Sequence, residues 1–180
     1  MKLEGHTGGH VLDIDARGHA QVDSITRPAI EEAARRGLAF SWSNVTYNYS
    51  AADTILLVQN TNTGRKLHMS HAIVSGDTAT EVRFHYTDKT ALTPAGTAVI
   101  GVALNNVIGG TPTSIAKGDE TANTQGNIFH HQEILAATPT FIDMRGAVIL
   151  GLGQSVAVDY VTVGATCFVT MWGYYETEAV

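Results

Sequence analysis

Charge is what this sequence has least of. Asp, Glu, Lys and Arg make up 16% of its 180 residues, where an ordinary soluble domain carries about 25%. The shortfall implies that other chains cover part of the surface. The net charge is −6. Lys and Arg never gather into a patch; the pair Arg35-Arg36 is too small to be one. Binding through phosphates needs such a patch, so nucleic acid is not expected as a partner. There is one cysteine, Cys167, and therefore no intrachain disulfide. A chain of this length buries about 70% of its unfolded surface and needs neither disulfide nor metal to fold. No apolar run reaches the ~18–20 residues of a membrane span. The opening Met1–His10 lacks the apolar stretch of a signal peptide. The expectation is folding in a reducing cytoplasm, with no membrane partner. The patterns Asn44-Val-Thr46 and Asn48-Tyr-Ser50 then read as chance matches to a glycosylation acceptor.

Reactive motifs are missing too. No Gly-x-Ser-x-Gly elbow occurs. Gly151-Leu-Gly153 is too short for a dinucleotide fingerprint and lacks the helix that should follow. The carboxylates are scattered, with no pair assignable to glycoside hydrolysis. Cys167 sits mid-strand among apolar neighbours and reads as an inert buried thiol. The chain has eight histidines. His68 and His71 are three apart, so a regular strand sends them to opposite faces. The adjacent His130 and His131 diverge for the same reason. A metal-dependent cupin would want His-x-His with a following Glu, and His68-Met-Ser-His71 offers neither. Asp13-Ile-Asp15-Ala-Arg17-Gly18 opens like a calcium loop and then fails, with Arg17 at a ligand position and Ser24 where a bidentate Glu belongs. No catalytic residue, metal or cofactor is expected, though one histidine per subunit in a symmetric assembly remains possible.

What is present is strand. The closing stretch, Ala147 to Glu176, reads as two strands joined at Gly164. In Ser155–Val163 one face carries Val156, Val158 and Tyr160; the other carries Ala157, Asp159, Val161 and Val163. In Thr166–Glu176 one face carries Phe168, Trp172 and Tyr174, with Thr166 and Thr170 between. Its other face carries Cys167, Val169, Met171 and Tyr175. An antiparallel strand with one wet side should show one polar face. Here both are largely apolar, which predicts a second sheet on one face and a neighbouring subunit on the other. Phe168, Met171, Trp172, Tyr174 and Tyr175 are the candidate interface residues of this closing hairpin.

Further strands are predicted at Leu38–Trp42, Thr54–Gln59 (a continuous apolar run, hence central), Lys66–Val74, Thr80–Thr87 and Thr97–Leu104. Shorter ones are predicted at Asn127–Leu135 and Thr140–Asp143. Residues 105–127 show no steady period, and such a stretch usually contacts something. One helix stands out, Pro28–Arg36: proline in the first turn, Glu31 and Glu32 at its positive end, Arg35 and Arg36 at its negative end, and Gly37 as a stop. Residues 1–25, rich in Gly and His, read as an arm with one extended piece at His10–Asp15. The resulting division is an arm and helix over 1–37 and an all-β, jelly-roll-like sandwich over 38–180. Trp42, Tyr47 and Tyr49 are a candidate glycan-stacking platform, weighed against packing between sheets.

The pattern resembles the small virion proteins of tailed bacteriophages that decorate the capsid or sit in the tail. Four features carry the resemblance. They are the Gly-rich arm leading to Ala39-Phe40-Ser41, and Thr54-Ile-Leu-Leu-Val-Gln-Asn60-Thr-Asn-Thr-Gly64 before the next strand. They are also Leu150-Gly-Leu-Gly-Gln-Ser-Val-Ala-Val158, which lacks the proline such proteins place in that turn, and the terminal Val169-Thr-Met-Trp-Gly-Tyr-Tyr-Glu176. The resemblance implies a jelly-roll protomer, a homotrimer, and attachment to the major capsid protein or another virion protein through the arm and loops. It implies location in the virion, assembled in the host cytoplasm, and no catalysis. A capsid decoration (cement) protein is the leading expectation. A tail or neck component, or a receptor- or carbohydrate-binding module on the same fold, is the alternative.

Overall fold

The computed structural model describes residues 2–4, 11–14, 20–23, 28–49, 54–87, 96–120 and 126–176. The Gly/His-rich residues 5–10, most of the calcium-like loop, and the loop containing Pro94 lie outside these. Near the N-terminus, β1 (Lys2–Glu4), β2 (Val11–Ile14) and β3 (Ala20–Asp23) form a three-stranded antiparallel sheet in sequence order. The expected extended piece at His10–Asp15 is thus one strand of a small sheet of its own.

Helix α1 (Ala29–Arg35) starts after Pro28, whose carbonyl accepts the Glu31 and Glu32 amides. Arg36 pairs with Glu32 at 2.9 Å. Gly37, at φ +70°, ends it. Ala33 is the helix's buried residue, and the helix rests on the strands flanking it in the sheet below.

The rest is an all-β sandwich. Its strands are β4 (Ala39–Tyr49), β5 (Thr54–Asn60), β6 (Leu67–Gly76), β7 (Thr80–Thr87), β8 (Thr97–Ala98), β9 (Val102–Ala103), β10 (Ser114–Glu120), β11 (Ile128–Ile134), β12 (Thr140–Leu150), β13 (Ser155–Tyr160) and β14 (Gly164–Tyr175). A five-stranded sheet has the order β12-β6-β14-β4-β9, and a six-stranded sheet the order β11-β7-β13-β5-β10-β8. All pairings are antiparallel. From β4 to β7 and from β11 to β14 each long strand leaves one sheet for the other. The segment between β7 and β11 adds β10 and β8 to the edge of one sheet and β9 to the edge of the other.

The core lies between the sheets. Trp42, Met69, Val74, Val169 and Met171 enter it from the five-stranded sheet; Leu56, Val58, Phe84, Val156 and Val158 enter from the six-stranded sheet. Tyr160 crosses the gap and donates its hydroxyl to the Ser75 carbonyl at 2.9 Å, so this buried phenol has a partner. The continuous apolar run of β5 is explained by its place between β13 and β10, buried on both sides.

The structure corrects five expectations about the strands. The closing strands are not a hairpin: β13 lies between β7 and β5, and β14 between β6 and β4 in the opposite sheet. Ala147–Val163 is two strands, split by the turn Gly151–Gln154, where the Gln154 amide bonds the Gly151 carbonyl at 3.0 Å. Thr97–Leu104 is two short strands in different sheets, and the aperiodic 105–127 contains β10. The Leu38–Trp42 strand runs on to Tyr49 as β4.

Candidate functional site

The alternation of β14 has a direct outcome. Cys167, Val169, Met171 and Tyr175 face the six-stranded sheet and are buried. Met171 and Tyr175 are therefore core residues of one chain and not interface residues. Phe168, Trp172 and Tyr174 face outward and are only half-buried. Cross-strand register lines up Val102, Ser41, Trp172, His71 and Asp143 in one row across the five strands. A second row runs Ser43, Thr170, Ile73, Phe141. Val45 and Tyr47 extend this outer face along β4, and Phe141 and Ile149 extend it along β12.

A β-bulge decides the histidines. The register of β6 against β14 slips between Trp172 and Gly173, so Ser70 is an extra residue. An added residue shifts the pleat by one, and His68 and His71 consequently share the outer face instead of diverging. His71 stacks on Trp172 (centroids 4.6 Å apart, planes 22°) and His68 on Tyr174 (5.1 Å, 10°). His71 also meets Phe141 at 5.3 Å. One ring nitrogen of His68 lies 3.1 Å from the Gly146 carbonyl, and the other 3.3 Å from a Glu176 carboxylate oxygen. A second irregularity, between Asp143 and Val148 of β12, sits opposite. There Gly146 adopts φ +72°, and a Cβ would lie 2.7 Å from the Tyr174 hydroxyl, so both backbone and space favour glycine. Asp143 closes on Arg145, accepting from its amide at 3.0 Å and its Nε at 3.2 Å. Burial holds the His71 imidazole below its ordinary 6.5, opposed by the Asp143 carboxylate.

The face is thus aromatic and aliphatic, with its few charges paired among themselves. Beside it, Glu32, His68, Tyr174 and Glu176 line a cleft of about 270 Å³. Among the described residues no group of three or more His, Cys, Asp or Glu is placed to hold a metal ion.

The glycan platform does not assemble. Trp42 and Tyr49 are buried in the core, whereas Tyr47, 70% exposed, points the other way. Residues 42, 47 and 49 lie on one strand, but packing between the sheets claims two of them. Cys167 is buried, and burial pushes its thiol up to about 12.

One polar cluster escaped the sequence reading. Leu57, Ala157 and His85 stand side by side in register on the outward side of the six-stranded sheet, all fully buried. The Gly126 amide donates to His85 Nδ1 at 3.1 Å, which leaves the ring hydrogen on Nε2. Nε2 lies 2.7 Å from Asp159 Oδ2. The N–H is not aligned with that oxygen, so the contact is a close polar approach and not a full hydrogen bond. Thr54 donates to Asp159 Oδ1 at 2.8 Å. Next to it, the Thr87 and Ser155 hydroxyls bond each other. An Asp–His pair invites a triad reading, but a general base needs a ring nitrogen free to take a proton. Nδ1 already accepts the Gly126 amide and Nε2 carries the ring hydrogen, so the fully buried ring offers no free base, and the cluster links β7 to β13 and, through Thr54, to β5. The signal is a His and an Asp placed diagonally, two residues apart in register, on neighbouring strands, and it needs the register to be seen. Against known protein families, curated proteins and solved structures, the chain finds no match.

Proposed function

We propose that this chain is a non-enzymatic virion structural protein, a trimeric capsid decoration protein that stabilises a phage head by bridging coat subunits; a tail or neck component is the second position within the same class. The observation that carries the reading is the outer face of the five-stranded sheet. An aromatic surface built on rigid strands, centred on Phe168, Trp172 and Tyr174, is what an assembly contact requires. The strand order supports a jelly-roll assignment. The order β12-β6-β14-β4 faces β11-β7-β13-β5, with consecutive strands alternating between sheets. The low charge of the chain fits a protein that works largely covered. No step of this role calls for a catalytic residue.

The test has two parts. Light scattering coupled to size exclusion should give three times the 19.1 kDa chain mass. The assembled protein should then co-sediment with empty shells of the major capsid protein and raise their melting temperature. A protein that assembles but neither binds nor stabilises shells, tails or necks refutes the virion role and leaves the oligomer.

A further inference from the structure

Strand β11 is outermost in the six-stranded sheet and pairs with β7 alone. Its register slips between Ile128 and His130, so the ladder from His130 onward is interrupted before it reaches the leading end. There the Tyr86 amide donates to the Asn127 carbonyl at 3.1 Å, and the Gly126 amide donates to His85 Nδ1 at 3.1 Å. The two backbones lie so close that a Cβ on Gly126 would overlap the Tyr86 carbonyl oxygen. The leading end of an edge strand is thus fastened to a buried histidine ring.

That fastening has a chemical condition. Nδ1 accepts only while it carries no hydrogen. A second proton on the ring turns Nδ1 into a donor facing the Gly126 N–H, and two donors cannot share the contact. On β13, Asp159 Oδ2 stands 2.7 Å from Nε2 and attracts a cationic ring; Thr54 on β5 serves the other Asp159 oxygen. Arg83 and Glu81 on β7 and His131 on β11 are joined to one another, with Arg83 Nε at 2.9 Å and His131 Nδ1 at 3.3 Å from Glu81. His130 packs on the Phe84 ring at 5.8 Å. Lys117 shares the row of His85 but lies three strands away. We propose that His85 is an acid-sensitive latch: taking up a proton releases the Gly126 amide and loosens the leading end of β11 from β7. Proton and Gly126 bond exclude each other, so each weakens the other by the same factor. Release uncovers the Tyr86 amide, and with it an edge of β7 where a further strand can pair. The latch belongs to the single chain and is independent of any assembly.

Amide hydrogen exchange of the full chain, read by NMR and corrected for the intrinsic pH dependence of exchange, tests it. Opening that takes up one proton makes the Gly126 amide lose about tenfold in protection per pH unit as the ring titrates, while the amides of the central strand β13 stay protected. In His85→Gln the side chain can still accept from Gly126 and donate to Asp159 but cannot titrate, so Gly126 protection should not change with pH. A variant that shows the wild-type fall overturns the latch. If the variant does not fold, the ring ¹⁵N shifts of the wild type decide: Nδ1 should gain its hydrogen and the Gly126 amide lose its bond at one and the same pH. A ring that titrates with the Gly126 bond intact, or one that stays neutral down to about pH 5, where histidines have ordinarily taken up their proton, also overturns it.

Discussion

His85→Leu is the substitution whose cost follows most directly from the structure. Asp159 is buried and has two carboxylate oxygens to satisfy. Thr54 serves one at 2.8 Å, and His85 Nε2 faces the other at 2.7 Å. Removing the imidazole leaves a buried carboxylate oxygen against hydrocarbon and also orphans the Gly126 amide. Leaving a buried polar group without its partner costs about 1–3 kcal/mol. For a chain of this size each kcal/mol moves the midpoint by about 2–4 °C, so Tm should fall by about 2–12 °C. Asp159→Leu should also destabilise, leaving the buried ring N–H without an acceptor at about 1–3 kcal/mol. The double variant should then cost less than the sum of the singles by about 0.5–3 kcal/mol, because neither partner is left facing an absent one. Urea melts of the four proteins at one concentration measure the cycle. A His85→Leu cost below 1 kcal/mol, with additive singles, would show that the approach carries no energy and refute the reasoning.

Other outcomes follow from the same geometry. Met171→Ala should cost about 2–5 kcal/mol in a urea melt, as for any buried core residue; Tyr47→Ala, on the exposed face, should stay within about 0.5 kcal/mol in the monomer. The Cys167 thiol, raised to about 12 by burial, should resist iodoacetamide at pH 8 in the folded protein and react promptly in urea. His71 is held below its ordinary 6.5 by burial. The unfolded chain therefore binds the proton first as pH falls, so stability is full above 6.5 and declines below it, towards the lowered folded value. His71→Gln should flatten that part of the pH–stability curve, and an NMR titration of the ring should give a midpoint under 6.5. Gly146→Ala, at φ +72° and against the Tyr174 hydroxyl, should destabilise by more than about 1 kcal/mol; an unchanged melt would mean the bulge re-forms without glycine.

An all-β sandwich preceded by a short helix was legible in the sequence. Alternation along Thr166–Glu176, the apolar run at Thr54–Gln59 and the charge-flanked turn after Pro28 are local patterns, and burial on a pleated surface reads them directly. The sequence also made one outer face of β14 apolar, because a period of two sorts Phe168, Trp172 and Tyr174 from Met171 and Tyr175 whatever lies beyond. Which set met the core was settled by the packing of the two sheets, since both sets are hydrophobic and the choice depends on which sheet lies opposite. The extra residue at Ser70 is likewise invisible in the sequence. Its effect, placing His68 and His71 together, exists only through pairing with β14. The His85–Asp159–Thr54 contact joins residues more than seventy positions apart on three strands. No window along the chain spans such a distance, and register, which is a property of the assembled sheet, brought them within 3 Å.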